Sequence, residues 1–521
     1  MPADLRPRYL PLRPLGGLAA LLGVRTAGRD GPGPLTSPGA SRGVSGVTHD
    51  SRRVQPGDLY VALPGSQHHG ARFCGQAASA GAVAILTDPA GKELAIRSGV
   101  PVFVVADPRS RLGAVASWIY GSPSGKLTLI GVTGTSGKTT TTYLLESGLR
   151  AAGHLTGLVG GVQTRVGEVT IDSGLTTPEA TDLQALFAAM VERGVTAAAM
   201  EVSSHALALG RVAGTSYDVA LFTNLSQDHL DFHETIDAYF AAKAALFTPG
   251  YSRAGVVNID DGHGRQLAAA PQIPLTTYSP AGNPRADWRA ADVRGGADGS
   301  AFRVIGPGGV EADASVALPG PFNVANALAA IVALVEAGVG TATAVAGVAA
   351  CPAVPGRLER VEAGQDFTVF VDYSHKPGAV RAVLEALRPV TLGNLTIVLG
   401  CGGDRDRAKR PLMGAAAAGL ADVAIFTSDN PRSEDPLGIL AEMLAGALGV
   451  PLRDRAHVII EPDRAAAIGL AMAGASKGDV VLVAGKGHER GQYAGASVIP
   501  FDDREVAAEA LGRRLASRGA P

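Results

Sequence analysis

The segment Gly131-Val-Thr-Gly-Thr-Ser-Gly-Lys138-Thr-Thr140 follows an apolar run, Leu127–Val132, and opens a helical one, Thr139–Leu149. Strand, glycine-rich turn and helix start, in that order, are what polyphosphate binding requires. Glycine backbones let N–H groups converge on phosphate oxygens, and the helix N-terminus adds partial positive charge. Lys138 is placed to reach the β- and γ-phosphates and the Thr139 hydroxyl to ligate Mg²⁺, while Gly134, Thr135, Ser136, Gly137 and Thr140 form the cradle. Five residues, rather than the usual four, separate Gly131 from Gly137. A glycine-rich turn without nucleotide is the competing reading, and the strand–helix context argues against it.

A second group of polar residues belongs beside that loop. Thr196–Met200 reads as a small-residue strand ending in Glu201, the position that faces a metal in a nucleotide-binding sheet. A strand can also end in a plain surface glutamate, so Glu201 gains weight from its company. It is followed by Val202-Ser203-Ser204-His205, and the strand Val219–Thr223 ends in Asn224-Leu-Ser-Gln-Asp228-His229-Leu-Asp231. Two neighbouring strands thus deliver polar clusters to one edge. His229 and His233 stand four apart, a spacing that can bind metal, but without a cysteine partner we assign them separate roles.

A third group lies towards the C-terminus, where four strands end in polar, glycine-bearing clusters: VDYSHKP, GCGGDRDR, SDNPR and AGKGHE. Ligands of open α/β sheets bind outside the carboxyl ends of strands. Arg405 and Arg432 can each fork onto a carboxylate, and Asp429 and Glu489 can accept from an ammonium. A substrate with two amino-acid ends matches that inventory. Cys401, nearby, is expected to pack rather than react.

The elements that must position these groups fall into three blocks of an α/β protein. Residues 1–45, dense in Gly, Pro and Ser from Gly28 to Gly46, are expected to be a flexible lead-in. Residues 46–121 read as a small α/β domain, with strands Asp58–Leu63, Ala82–Thr87 and Val100–Val105 and helices Phe73–Ala80 and Arg109–Tyr120. After a linker, residues 126–351 read as a central P-loop ATPase-like parallel sheet with a hairpin insertion at Asp287–Leu318. Residues 352–521 alternate strands (Thr368–Asp372, Leu395–Leu399, Asp422–Thr427, His457–Ile460, Asp479–Ala484) with helices, a doubly wound Rossmann-like sheet.

Composition narrows the function classes. The 521 residues are 46% hydrophobic and 18% charged, with a net charge of −2, so no basic excess exists to neutralise a nucleic-acid backbone. The three cysteines, Cys74, Cys351 and Cys401, form no CxxC pair, which excludes a zinc ribbon and fits a reducing compartment. The N-terminus lacks a signal-peptide core, and the apolar stretch Ala325–Ala350, broken by Glu336, reads as two buried helices rather than a bilayer span. We expect a cytoplasmic monomer that binds neither membrane nor nucleic acid.

The motifs GTSGKTTT, TTPEATDL, MEVSSHALALGR, TNLSQDHLDFH, YFAAKAALF, GPFNVANALAA, PGRLERV, VDYSHKPGA, GCGGDRDRAKRPLMG, SDNPRSEDP and VAGKGHE, in order from Gly46 to Asp503, resemble the Mur ligase family, and within it the diaminopimelate-adding members. The resemblance accounts for the five-residue phosphate loop. It implies three domains, for the uridine diphosphate end, for ATP and for the incoming amino acid. It also implies the reaction: ATP phosphorylates the D-Glu γ-carboxylate of UDP-N-acetylmuramoyl-L-alanyl-D-glutamate, and the amine of diaminopimelate attacks the acyl phosphate.

Residue by residue, the resemblance implies that Thr139 and Glu201 hold one Mg²⁺, that Glu201 and His229 hold a second, and that Lys243 is carbamylated. A carbamate supplies an anionic oxygen where an ammonium would be repelled; the plain alternative for Lys243 is a solvated surface cation. Asn323 and Arg357 match adenine- and phosphate-side contacts, and Asp372 a ribose acceptor. Ser51 matches the uridine side, and Thr176, Thr177, Ser203 and Arg211 the muramoyl peptide. Asp429-Asn430-Pro431-Arg432, with Arg405, Gly485 and Glu489, matches the diaminopimelate site, Arg432 pairing with the carboxylate that lysine lacks. Three alternatives stand beside this reading: a folate-type γ-glutamyl ligase, a P-loop ATPase switch that joins nothing, and a noncatalytic wall-assembly scaffold.

Overall fold

A computed structural model of the chain describes residues 6–8, 12–25 and 43–519. The chain divides into two compact units. The first comprises residues 1–289, 306–309 and 328–348, and the second residues 290–305, 310–327 and 349–521.

The first unit begins with a four-stranded parallel sheet ordered Gly46–Thr48, Asp58–Ala62, Ala84–Thr87, Val102–Val104. The helix Pro108–Ile119 starts where Asp107 accepts from the backbone N–H groups of Arg109 and Ser110, with proline at its first position. Its face Leu112, Val115, Ile119 packs against Leu15, Leu18 and Leu22 of a helix, Leu15–Leu22. The expectation of a flexible lead-in over 1–45 is therefore corrected for this segment. A Leu-rich face at helical spacing finds a core to bury against, and Arg13–Pro14 pairs antiparallel with Gly43–Val44. The stretch 28–42 of that lead-in lies outside the described residues.

The larger sheet of this unit runs in the order Val169–Asp172, Gln163–Val166, Thr156–Val159, Ala197–Glu201, Thr128–Thr133, Tyr217–Phe222, Ser252–Asn258, Leu275–Ser279, then Trp288 onward. The first three strands pair antiparallel in succession, and the pairs from Thr156–Val159 with Ala197–Glu201 through Trp288 are parallel. Thr128–Thr133, which feeds the phosphate loop, is flanked on one side by Ala197–Glu201 and on the other by Tyr217–Phe222. The two polar strand ends expected on one edge thus bracket the loop. Leu328–Leu334 of the helix Pro321–Glu336 is wholly buried, and among the described residues no helix is long and apolar enough to cross a membrane.

The second unit holds a sheet ordered Glu359–Arg360, Thr368–Asp372, Val480–Ala484, Leu395–Leu399, Val423–Phe426, His457–Ile460, parallel except at its first pair. The expected hairpin insertion at Asp287–Leu318 is instead three strands, Trp288–Gly296, Gly299–Ile305 and Glu311–Val316, the last two antiparallel. Residues 290–305 and 310–327 group with the C-terminal block in the second unit. Arg360 pairs with Asp298, and a Cβ on Gly320 would lie 2.9 Å from Ala386. A short hairpin, Gly491–Ala494 with Ser497–Pro500, follows the last sheet strand and was not foreseen.

Candidate active site

The phosphate loop needs glycine at two positions: Gly134 has φ 143° and Gly137 φ 88°. Between them the loop is pinned from the neighbouring strand end. Thr223 and Asn224 side chains donate to Ser136 O at 2.7 and 3.1 Å, and Ser136 N donates to Asn224 Oδ1 at 3.0 Å. Thr135 Oγ1 sits 3.1 Å from the Tyr239 hydroxyl. Lys138 Nζ folds over the loop and donates to Gly134 O and Thr135 O at 2.8 and 3.0 Å. A cation is thus held against the carbonyls of the loop, at the start of the helix Lys138–Ala151.

Thr139 and Glu201, 62 residues apart, meet because the strand Thr128–Thr133 that leads into the phosphate loop and its helix runs beside Ala197–Glu201: Thr139 Oγ1 donates to Glu201 Oε1 at 3.1 Å, and both are buried. Gly161 N also donates to Glu201 Oε1, at 2.9 Å. A hydroxyl and a carboxylate are hard oxygen donors, which suits Mg²⁺, a cation that takes one or two carboxylates and completes its shell with phosphate and water. His229 Nε2 lies 3.1 Å from Asp228 Oδ2, its backbone held at φ 53°. Among the described residues no group of three or more His, Cys, Asp or Glu could hold a metal.

Lys243 is 1% exposed, which excludes the solvated surface cation. Its Nζ donates to Gly134 O at 2.8 Å and lies 4.4 Å from the Tyr239 ring centroid. Its place on the helix Ile236–Ala244, capped by Thr235 on Ala238 N, therefore aims it at the phosphate loop. His205, Phe232 and His233 cluster, largely edge to face, and His233 Nε2 pairs with Ser204 Oγ at 3.0 Å. Burial lowers both the His205 and the His233 pKa below the usual imidazole value.

The residues assigned to the nucleotide-linked peptide also converge within the first unit. Thr177 Oγ1 donates to Glu201 O at 2.9 Å and accepts from Ser203 N at 3.1 Å, which joins the loop carrying Thr176 to the Glu201 strand. Arg211 and Arg109 share the Glu179 carboxylate at 2.8 and 3.0 Å. Ser51 begins a short helix capped by Asp50, and that loop is tied to the same region by His49 to Thr181 at 3.2 Å and Arg53 to Asp182 at 2.9 Å.

In the second unit, sheet order makes neighbours of the four polar strand ends: Asp372, Ala484, Leu399 and Phe426 end strands that are consecutive in the sheet. Asp372 accepts from Leu358 N and Ser374 N at 2.8 Å each, and the Arg357 guanidinium lies 4.6 Å from the Tyr373 ring centroid. Asn323 is buried, donating to Pro319 O at 2.8 Å. Arg432 adopts φ 52° and donates from Nη1 to Gly403 O at 2.7 Å. Asn430 Nδ2 donates to Glu489 Oε2 at 2.9 Å, and Asp429 is buried beside Gly485, whose φ is 113°. Pro431 O packs against Gly403, and exposed Arg405 donates to Asp404 O at 3.0 Å. Cys401 contacts Met413 Sδ at 3.5 Å, and burial raises its thiol pKa to about 12, in keeping with a packing role.

Three groups escaped the sequence reading. Asn224 and Tyr239 fix the phosphate loop, and fully buried Lys486 joins Asn430, Glu489 and Gly491. Each lies in a motif quoted above, but motif membership does not tell a packing residue from one aimed at a site.

Comparison with known proteins gives matches over three successive stretches. Residues 43–120 match the Mur ligase family catalytic domain, 132–334 the Mur ligase middle domain, and 356–487 the Mur ligase glutamate ligase domain. The chain is 57% identical, over 98% of each chain, to a UDP-N-acetylmuramoyl-L-alanyl-D-glutamate–2,6-diaminopimelate ligase of Streptomyces coelicolor. It is 48% identical to the Corynebacterium glutamicum protein of the same name, over 91% of this chain and 92% of that one. A solved structure bearing that ligase name aligns with a TM-score of 0.68 and 31% identity, covering 93% of this chain and 98% of the other.

Proposed function

The chain belongs to the Mur ligase family, and we propose that it is the ATP-dependent ligase that joins 2,6-diaminopimelate to UDP-N-acetylmuramoyl-L-alanyl-D-glutamate during peptidoglycan precursor synthesis. In this reading residues 46–121 take the uridine diphosphate end, 126–351 take ATP and 352–521 take the amino acid. The γ-phosphoryl group of ATP passes to the D-Glu γ-carboxylate. The diaminopimelate amine then adds to the acyl phosphate, a tetrahedral intermediate forms, and phosphate leaves as the amide closes.

The physical obstacle is charge, since a carboxylate must approach a polyphosphate. Lys138 and the N-terminus of the helix Lys138–Ala151 meet that charge from one side, beside a loop already braced by Thr223 and Asn224. Mg²⁺, when bound, supplies the remaining neutralisation, and Thr139 and Glu201 fit it as hard oxygen donors, with His229 assigned to a second ion. Lys243 is assigned as an N6-carboxylysine, and its burial against Gly134 O supports that reading. Asn323, Arg357 and Asp372 are assigned to the nucleoside and phosphates of ATP, and Ser51, Thr176, Thr177, Ser203 and Arg211 to the muramoyl peptide. The enzyme is read as a cytoplasmic monomer.

The observation that carries the choice of amino acid is Arg432, held by Gly403 O in a loop with Asp429 and Asn430, the latter bonded to Glu489. Diaminopimelate offers two amino-acid ends, and a guanidinium fork answers the second carboxylate. The test is phosphate release by purified protein with ATP, the UDP-linked dipeptide and a panel of diaminopimelate, lysine and ornithine. Turnover confined to diaminopimelate is expected, and equal turnover with lysine overturns the assignment.

A further inference from the structure

Lys486 follows the strand Val480–Ala484 and is 0% exposed. Its ammonium has three acceptors: Gly491 O at 2.7 Å, Asn430 Oδ1 at 3.0 Å and Glu489 Oε2 at 3.2 Å. They come from the hairpin, from the Asp429–Arg432 loop and from Lys486's own turn. A buried ammonium without partners is costly, so these three bonds hold one another in place.

The arrangement fixes orientation as well as position. Asn430 Oδ1 accepts from Lys486 Nζ and from Tyr493 N at 3.0 Å, so the amide can face only one way. Its Nδ2 then points to Glu489 Oε2 at 2.9 Å. The same hairpin grips Arg432, whose N–H donates to Tyr493 O at 2.9 Å and whose carbonyl accepts from Gly495 N at 2.7 Å. Arg432 and Ala494 form a parallel bridge, which holds Arg432 at φ 52°, a conformation unfavourable for a residue with a side chain.

We propose that Lys486 is a positioning residue of the amino-acid site: through Asn430, Glu489 and the hairpin it orders the groups that receive diaminopimelate before the substrate arrives. This rests on the reading of that site given above. A side chain oriented beforehand spends less binding free energy on its own ordering. The effect belongs to the third substrate, since the contacts of Lys486 Nζ are with residues of the amino-acid site and its hairpin.

The experiment compares wild type, Lys486→Met, Asn430→Ala and the double variant in steady-state phosphate release with each substrate varied in turn, with thermal unfolding as the check on folding. Lys486→Met should raise KM for diaminopimelate on the order of 10- to 100-fold, with KM for ATP and for the UDP-linked dipeptide within about twofold of wild type. Because Lys486 acts through Asn430, the double variant should resemble the more damaged single variant rather than multiply the two losses. Lys486→Gln, neutral but still a donor, should fall between, and it serves under the same criteria should Lys486→Met fail to fold. An unchanged KM for diaminopimelate, equal increases for all three substrates, or multiplicative losses in the double variant overturns the proposal. Failure of the wild type to use diaminopimelate overturns instead the reading of the site on which it rests.

Discussion

On the proposed assignment of Arg432 to the second carboxylate of the amino acid, replacing it by Ala isolates what that carboxylate contributes. Breaking one half of a buried charged pair costs about 2–5 kcal/mol, much of it the penalty of leaving the other charge unpaired. Arg432 is only half-buried, and one of its nitrogens is engaged by Gly403 O, so the lower part of the range applies, about 2–3 kcal/mol. At 1.4 kcal/mol per decade this is roughly a 30- to 140-fold loss of kcat/KM for diaminopimelate. Alanine inherits the same positive φ as arginine, so backbone strain nearly cancels in the comparison. Lysine lacks the second carboxylate, and its already low kcat/KM should barely change, which narrows the preference by the same factor. Arg432→Lys keeps the charge but not the planar fork and should recover only part of the loss. The assay is competitive turnover of the two amino acids with wild type and both variants. An unchanged diaminopimelate-to-lysine ratio in Arg432→Ala refutes the argument.

Lys138→Ala should lower kcat on the order of 10²-fold or more, because it removes the cation held over the phosphate loop; near-normal single-turnover rates would sink that role. Lys243→Ala should be nearly inactive and should regain part of its activity with added short carboxylates, which occupy the space the buried side chain leaves; full activity without them would show that no anionic group is needed there. Arg464 and Asp503 form an ion pair with both side chains 0% exposed, bonded at 2.7 Å. Arg464→Ala leaves Asp503 buried and unpaired, and should lower the unfolding free energy of its unit by about 3–5 kcal/mol, read from the denaturation midpoint in urea. A shift equivalent to less than about 1 kcal/mol would mean the pair is replaced by solvent.

The phosphate loop was legible in the chain because it is local. A phosphate loop is a contiguous stretch in which glycine spacing, a lysine and a helix start must coincide, and Gly134, Gly137 and Lys138 stand where that stretch places them. The strands Thr368–Asp372 and Leu395–Leu399 were legible to the residue, since buried parallel strands are short apolar runs between turns. Leu15–Leu22 was missed because the Gly, Pro and Ser density of residues 28–46 coloured the reading of the whole segment.

What only the tertiary structure decided is which residues meet. Strand order brings Glu201 onto Thr139 across 62 positions and makes neighbours of four polar strand ends scattered from Asp372 to Glu489. It also turns Lys243 and Lys486 from ordinary lysines into buried ones, 1% and 0% exposed. A lysine's sequence neighbours fix its helix or its turn, but its solvation depends on chain segments far away. The cost of burying an ammonium, and hence its partners and its use, is therefore set by the packed fold.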